Sequence, residues 1–271
     1  MKVSHEVPRC LLTAQREFND YLYCLPHLLD KDEEYKKFFI EASFNGDYIV
    51  MDNSLHELGE AYDHQRLLHW VNELQPDEFI VPDVWMDKSK TLVNAKFWKQ
   101  YKYPEKTTIV AVVQGQSLPE AIECYSILKD LGYKKIAFSY GADWYANLVP
   151  NENKDLAKAL GRIYTIGFLR KNNIISSTDR IHLLGCSVPQ EFGWYKNASY
   201  IESIDTSNPI MASIEGLKYT EQGLTFKPKA NMNDSYNIDF ENIDYKIILH
   251  NTQMFRKING LAYIQNIPGT N

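Results

Sequence analysis

The sequence predicts an α/β chain folded as a (β/α)₈ TIM barrel. Three observations carry the prediction. Short β-branched and aromatic runs recur, and most are continuous rather than alternating, as in strands buried on both faces. Segments with helical spacing separate them, which implies parallel strands with right-handed crossovers. The alternation repeats about seven times, and seven or eight such units in roughly 250 residues is the size of this barrel. A doubly wound open sheet is the runner-up. It would normally carry a Gly-rich phosphate loop, and neither GxGxxG nor GxxxxGK[ST] follows a strand.

Taken in order, residues 1–35 read as a helical or irregular N-terminal cap. The expected strands are "KFFIEASFN" (37–45), "DYIVMDNS" (47–54), "EFIVPDVW" (78–85), "TIVAVVQGQ" (108–116), "KKIAFSYGAD" (134–143), "RIHLLGCS" (180–187) and "SYIESIDTSN" (199–208). Expected helices cover 56–74, 117–133, 154–172 and 189–198, where apolar residues fall at helical spacing. In "SLPE", Ser117 is a helix N-cap, Pro119 sits in the first turn and Glu120 at the third position. Gly132 reads as a helix stop. From about 216 the alternation fades into a short irregular or helical extension, in which 247–264 reads as a last helix. The chain is thus expected to form one domain over 1–271, with a barrel core near 36–215 and a C-terminal extension over 216–271.

Composition narrows the function. The chain has 271 residues with 44% hydrophobic and 24% charged, which suits one large globular domain. A net charge of −6 excludes a general polycation for nucleic acid, though not a local basic patch. Four scattered cysteines without CxxC spacing signal neither a zinc site nor a disulfide framework. The N-terminus lacks the apolar core of a signal peptide, and no run reaches the ~18–20 apolar residues that span a bilayer. The expectation is a soluble cytoplasmic protein, or one of the host cytoplasm if viral.

In such barrels chemistry gathers where strands end. Asp52, Asp83, Gln114, Gly141, Cys186 and Asp205 stand at those ends. A single Asp after a strand is ordinarily a turn or N-cap residue. Three of them, with "VVQG" added, point to a site. Two carboxylates facing one pocket suit substitution at an anomeric carbon. A third beside a Gln suits the donor–acceptor edge of a guanine-like base, although sugar sites use the same residue types.

These motifs resemble one family, the tRNA-guanine transglycosylases and their relatives that insert 7-deazaguanines into DNA. The likeness runs from about 45 to 212, with a fragment near 250. It implies that Asp52 in "IVMDNSLHE" moves protons and Asp83 in "FIVPDVW" binds the guanine edge. Gln114 and Gly115 in "VVQGQ" would address the base carbonyl, with Gly141 and Ala142 in "IAFSYGA" offering backbone N–H groups. In "HLLGCSVPQE", Leu184 would cover the flat face of the base, with Gly185 beside it. Asp205 in "ESIDTSNPIM" would be the nucleophile. No cofactor is implied. The partners would be DNA or tRNA and a free 7-deazaguanine base, with no membrane; a homodimer is allowed.

The chain departs from the family in four places. Its Gly-Gly pair after the Asp becomes Ser54-Leu55, and its stacking aromatic becomes His56. The Arg that follows the family's Pro is replaced, since Ile210 and Met211 follow Pro209. The zinc cysteines are missing, and His250 alone reads as a packed or capping residue. A compact zinc-free relative acting on DNA fits these departures, and short forms of that branch are typically phage-encoded. Acting on tRNA, or binding nucleic acid without catalysis, are the alternatives. A glycoside hydrolase explains the carboxylate pair but not the ordered "VVQG", "YGA" and "LLGCSVP" set. An aldolase would need a Lys at a strand end, and none is well placed.

Further features remain. Residues 87–106 interleave lysines with Phe97, Trp98, Tyr101 and Tyr103, as a single-strand-binding face or a solvated helix would. Lys227, Lys229, Arg256 and Lys257 are weaker basic candidates. His182 reads as a packed histidine or one that supports a neighbour, and Cys186 as a small packed residue.

Overall fold

A computed structural model describes residues 1–262 and residue 264. Eight parallel strands form one sheet: β1 (Lys2–Ser4), β2 (Leu22–Cys24), β3 (Ile49–Met51), β4 (Glu78–Ile80), β5 (Thr108–Val113), β6 (Lys135–Ser139), β7 (Arg180–Leu184) and β8 (Ile201–Asp205). Neighbours pair in the order β1-β8-β7-β6-β5-β4-β3-β2, a nearly closed (β/α)₈ barrel. Around it lie α1 (Pro26–Lys31), α2 (Glu33–Phe44), α3 (Leu55–Leu58), α4 (His64–Leu74), α5 (Lys88–Trp98), α6 (Leu118–Asp130), α7 (Tyr145–Leu148), α8 (Lys154–Lys171), α9 (Asn208–Ile214), α10 (Met232–Ser235) and α11 (Tyr245–Ile258). No helix among the described residues is long and apolar enough to cross a membrane.

Between β1 and β2 the seam is closed by side chains. Asp20 Oδ2 accepts from Val3 N at 2.8 Å, while Asp20 N donates to Val3 O. Asn19 brackets His5 in the same way, accepting from its N–H and donating to its carbonyl. Arg256 of α11 pairs with Asp20 at 3.0 Å, so the C-terminal helix fastens this seam.

Two expectations are corrected. Residues 1–35 are not merely a cap, because they contain β1 and β2. The barrel core therefore begins at Lys2, not near 36. β1 has one apolar residue between Lys2 and Ser4, and β2 runs on through Leu25 into α1 with no polar residue to mark its end. Residues 37–44 belong to α2, with Asn45 as its C-cap, and are not extended. Asp32 caps α2 by accepting from Glu34 N and Tyr35 N, and Tyr35, Phe38, Phe39 and Ala42 form its buried face at helical spacing. The other six expected strands stand where expected. Ser117 caps α6 as read. The expected helix over 56–74 divides into α3 and α4, and the 189–198 segment is a 3₁₀ helix, Pro189–Tyr195. The last helix, α11, ends at Ile258, and part of the C-terminal extension lies outside the described residues.

Candidate active site

The strands deliver their ends to one cavity of about 650 Å³, within the usual range for small-molecule sites. Asp52, His56, Asp83, Gln114, Leu184, Gly185 and Asp205 all line it, as expected. Gly115, Gly141 and Ala142 do not. Gly115 backs onto the first turn of α6, where a Cβ would lie 2.8 Å from Glu120 Cβ. Gly141 backs onto the ring of Trp85, which does line the cavity.

Asp52 follows β3 and is 8% exposed. Its Oδ2 accepts from Ser54 N at 3.0 Å. Ser54 replaces a glycine of the resembled family, yet its backbone remains left-handed, with φ 60°. That conformation costs a β-carbon residue about 1 kcal/mol. A bond of 2.8 Å between Ser54 Oγ and His27 Nδ1 offsets part of it. Burial pushes the Asp52 carboxyl up to about 7; Asn53 N–H opposes this, while the charges of Asp205 and Asp83 add to it.

Asp83 and Gln114 engage each other. Gln114 Nε2 donates to Asp83 Oδ2 at 2.6 Å, and its Oε1 accepts from Met86 N at 2.9 Å. Asn53 Nδ2 donates to Asp83 Oδ1 at 2.8 Å. Each oxygen of Asp83 therefore holds one donor and keeps a lone pair for a ligand. Burial raises this carboxyl against the pull of Gln114 and Asn53.

Asp205 ends β8 and is 3% exposed. His182 Nε2 lies 2.9 Å from its Oδ1. Below the floor, Arg162 is fully buried and ion-paired to Glu191 at 2.6 Å. Its guanidinium donates to the carbonyls of Phe138, Leu184 and Gly185 and so fixes the loops after β6 and β7. Gly185 is left-handed, and a Cβ there would collide with the Tyr140 ring. Trp85 and Tyr140 thus bring aromatic rings into the cavity by packing on glycines. His56 sits edge-on to Tyr140, with ring centroids 6.2 Å apart, and burial and Lys227 lower its pKa.

Sequence reasoning missed Glu6, Tyr23, Glu57, Trp85 and Tyr140, all of which line the cavity. Glu6 and Tyr23 were hidden with β1 and β2. Glu57 lies one residue beyond His56, and its Oε2 is buried with no hydrogen-bond partner among the described residues. Burial raises Glu57, with Asp52 and Asp205 adding to it; burial also raises Glu6, with Glu57, Asp205 and Asp52 adding. Carboxyls raised in this way are suited to donating protons.

A segment of the extension covers the rim. Lys227 bonds to Tyr140 OH and lies 4.7 Å over that ring. Asn233 Nδ2 donates to Glu57 O at 3.0 Å. Burial lifts the Cys186 thiol to about 12, and its Sγ lies 3.2 Å from Thr206 Oγ1, so it is a packed thiol. His250 Nε2–H donates to Tyr219 O at 2.9 Å. Among the described residues no group of three or more His, Cys, Asp or Glu is arranged to hold a metal ion. The basic stretch after Asp87 is partly tied down. Lys88 pairs with Glu123, and Phe97, Trp98 and Tyr101 pack around His64 with centroids 4.9, 4.9 and 5.4 Å from it.

No protein-family model matches this chain, and no curated protein matches it.

Proposed function

We propose that the protein is a transglycosylase that exchanges guanine in nucleic acid, DNA in the first instance, for a 7-deazaguanine base through a covalent aspartyl–C1′ intermediate. One observation carries the reading: Asp52, Asp83, Gln114 and Asp205 line one cavity large enough for a purine and its sugar. tRNA is the alternative substrate. The segment after Pro209 favours DNA, because Ile210 and Met211 are buried in the core where the resembled family presents an Arg to the anticodon loop.

The target nucleotide is flipped out so that its C1′ reaches the mouth. An oxygen of Asp205 attacks C1′, the C1′–N9 bond breaks, and its electron pair leaves with guanine. The raised carboxyl of Asp52 delivers the proton that lets guanine depart neutral. A 7-deazaguanine enters with its edge on Asp83 and Gln114. The Asp52 carboxylate takes its N9 proton, N9 attacks C1′, and the ester bond to Asp205 breaks. Two displacements retain configuration, and both partners of each step are accounted for without oxidant or nucleotide.

Incubation with guanine-containing DNA, or tRNA in a parallel arm, and a labelled 7-deazaguanine tests the reading. Label enters the polymer with the wild type and not with Asp205→Ala. Unimpaired incorporation by Asp205→Ala removes Asp205 as nucleophile. DNA or RNA binding with no exchange by the wild type would favour a non-catalytic binding role.

A further inference from the structure

His182 stands inside the barrel on β7 and is 1% exposed. Its Nδ1 lies 2.8 Å from Ser203 Oγ, and its Nε2 lies 2.9 Å from Asp205 Oδ1. Lys135 Nζ donates to Ser203 Oγ at 2.6 Å and to both oxygens of Glu78 at 2.7 Å. A continuous polar column therefore runs from the start of β4 through the barrel to the carboxylate at the mouth. Tyr23, in the cavity wall, lies nearly parallel to the imidazole, with centroids 6.4 Å and planes 13° apart.

The donors fix the direction of this column. An ammonium can only donate, so Lys135 occupies a lone pair of Ser203. The single hydroxyl hydrogen of Ser203 is then left for another acceptor, and His182 Nδ1 is in reach. A neutral imidazole that accepts at Nδ1 carries its proton on Nε2. That N–H points at Asp205 Oδ1. The other tautomer would set a bare nitrogen lone pair against a carboxylate oxygen.

We infer that His182 is a positioning residue for Asp205, locked as the Nε2–H tautomer by Lys135 acting through Ser203. The inference rests on the reading of Asp205 as nucleophile. His182 holds Oδ1 and leaves the other oxygen to reach C1′. The same N–H stays on Oδ1 when it becomes the carbonyl oxygen of the ester, so no proton moves along the column during exchange. The imidazole is tied at both ring nitrogens, to Ser203 and to Asp205, which is the kind of support that precise placement of a nucleophile requires.

The test joins nitrogen NMR of the full chain to steady-state exchange. In ¹⁵N-labelled protein at pH 8, the His182 signals are those lost in His182→Gln. The expected pattern is a protonated Nε2 and a bare Nδ1. A protonated Nδ1, alone or as imidazolium, overturns the lock. In the exchange assay, His182→Gln places an amide N–H near the Nε2 position and stays within about tenfold of wild-type kcat, whereas His182→Leu falls by about a hundredfold or more. KM for the free base changes less than about twofold in both. Ser203→Ala falls between them and yields a mixture of tautomers. Equal losses in the Gln and Leu variants that track their melting temperatures would show a packing role and overturn the inference, as would unchanged kcat in both. A wild type that exchanges no base sinks the transglycosylase reading instead, and the tautomer then decides the lock by itself.

Discussion

At the base of the barrel, Glu78 and Glu202 share Lys135 and Arg180, with contacts of 2.7 Å for Lys135–Glu78 and 2.9 Å for Arg180–Glu202. At the mouth, Glu6, Asp52, Glu57, Asp83 and Asp205 surround a cavity whose lining includes Lys227, and that lysine is bonded to Tyr140. The same residue type behaves oppositely in the two places. Burial alone would raise Glu202, but Arg180 and Lys135 outweigh it and hold the carboxyl below its usual value. Asp52, Glu57, Glu6 and Asp83 all stand above theirs. Paired buried charge is tolerated at the base, whereas the carboxyls at the mouth outnumber the lysine in the cavity lining, oppose the fold and persist where they serve chemistry.

Breaking the base should cost the most stability. Lys135→Met strands Glu78 in the barrel with its remaining partners Tyr48 and Arg180, and should lose about 3–5 kcal/mol of unfolding free energy in urea titrations. A loss below about 1 kcal/mol would erase the contrast between the two ends. At the mouth, Asp52→Asn keeps shape but cannot exchange a proton, so base exchange should fall by about 10²–10³-fold with little change in melting temperature.

Glu57→Gln sharpens the comparison through pH. The folded chain holds this carboxyl up at about 8, above its ordinary value, because of burial and then Asp52 and Asp205. Its stabilising share is present below the ordinary carboxyl pKa and is lost as pH rises through the folded value. The wild type should therefore lose stability from pH 5 to pH 8, and the Gln variant should lose about 1–2 kcal/mol less, seen as a smaller drop in melting temperature. Equal drops would show that Glu57 titrates as if in water. The smallest effect is expected for Ser54→Gly. It relieves the left-handed backbone but removes the His27 bond, so stability should move by less than about 1 kcal/mol.

The sequence made the mouth more legible than the closure. Long apolar runs such as "TIVAVV" and "KIAFS" announce buried strands, and the polar residues that end them converge as parallel topology requires. β1 and β2 escaped because "KVS" holds one apolar residue between Lys2 and Ser4, while "LYC" runs on through Leu25 into α1 with no polar residue to end it; Glu6 and Tyr23 escaped with them. "KFFIEASF" is aromatic enough to read as a strand, yet Asp32 and the 35, 38, 39, 42 spacing mark a helix once the cap is recognised. Gly141, expected to offer its N–H to a ligand, lies outside the cavity lining and packs against the Trp85 ring. A close ring–backbone approach of that kind depends on tertiary packing, which a single strand's pattern does not encode. His182 was legible as a packed or supporting histidine, but its partners Ser203 and Asp205 lie on the neighbouring strand, and their register sets the contact.

The most direct measurement is intact-protein mass spectrometry after rapid acid quench of the protein mixed with a short guanine-containing DNA strand, without added free base. The account predicts a covalent adduct with the mass of the strand less guanine, mapped by peptide sequencing to Asp205 and abolished in Asp205→Asn. An adduct on another residue, or its persistence in that variant, would contradict it, as would label incorporation by a wild type that forms no adduct.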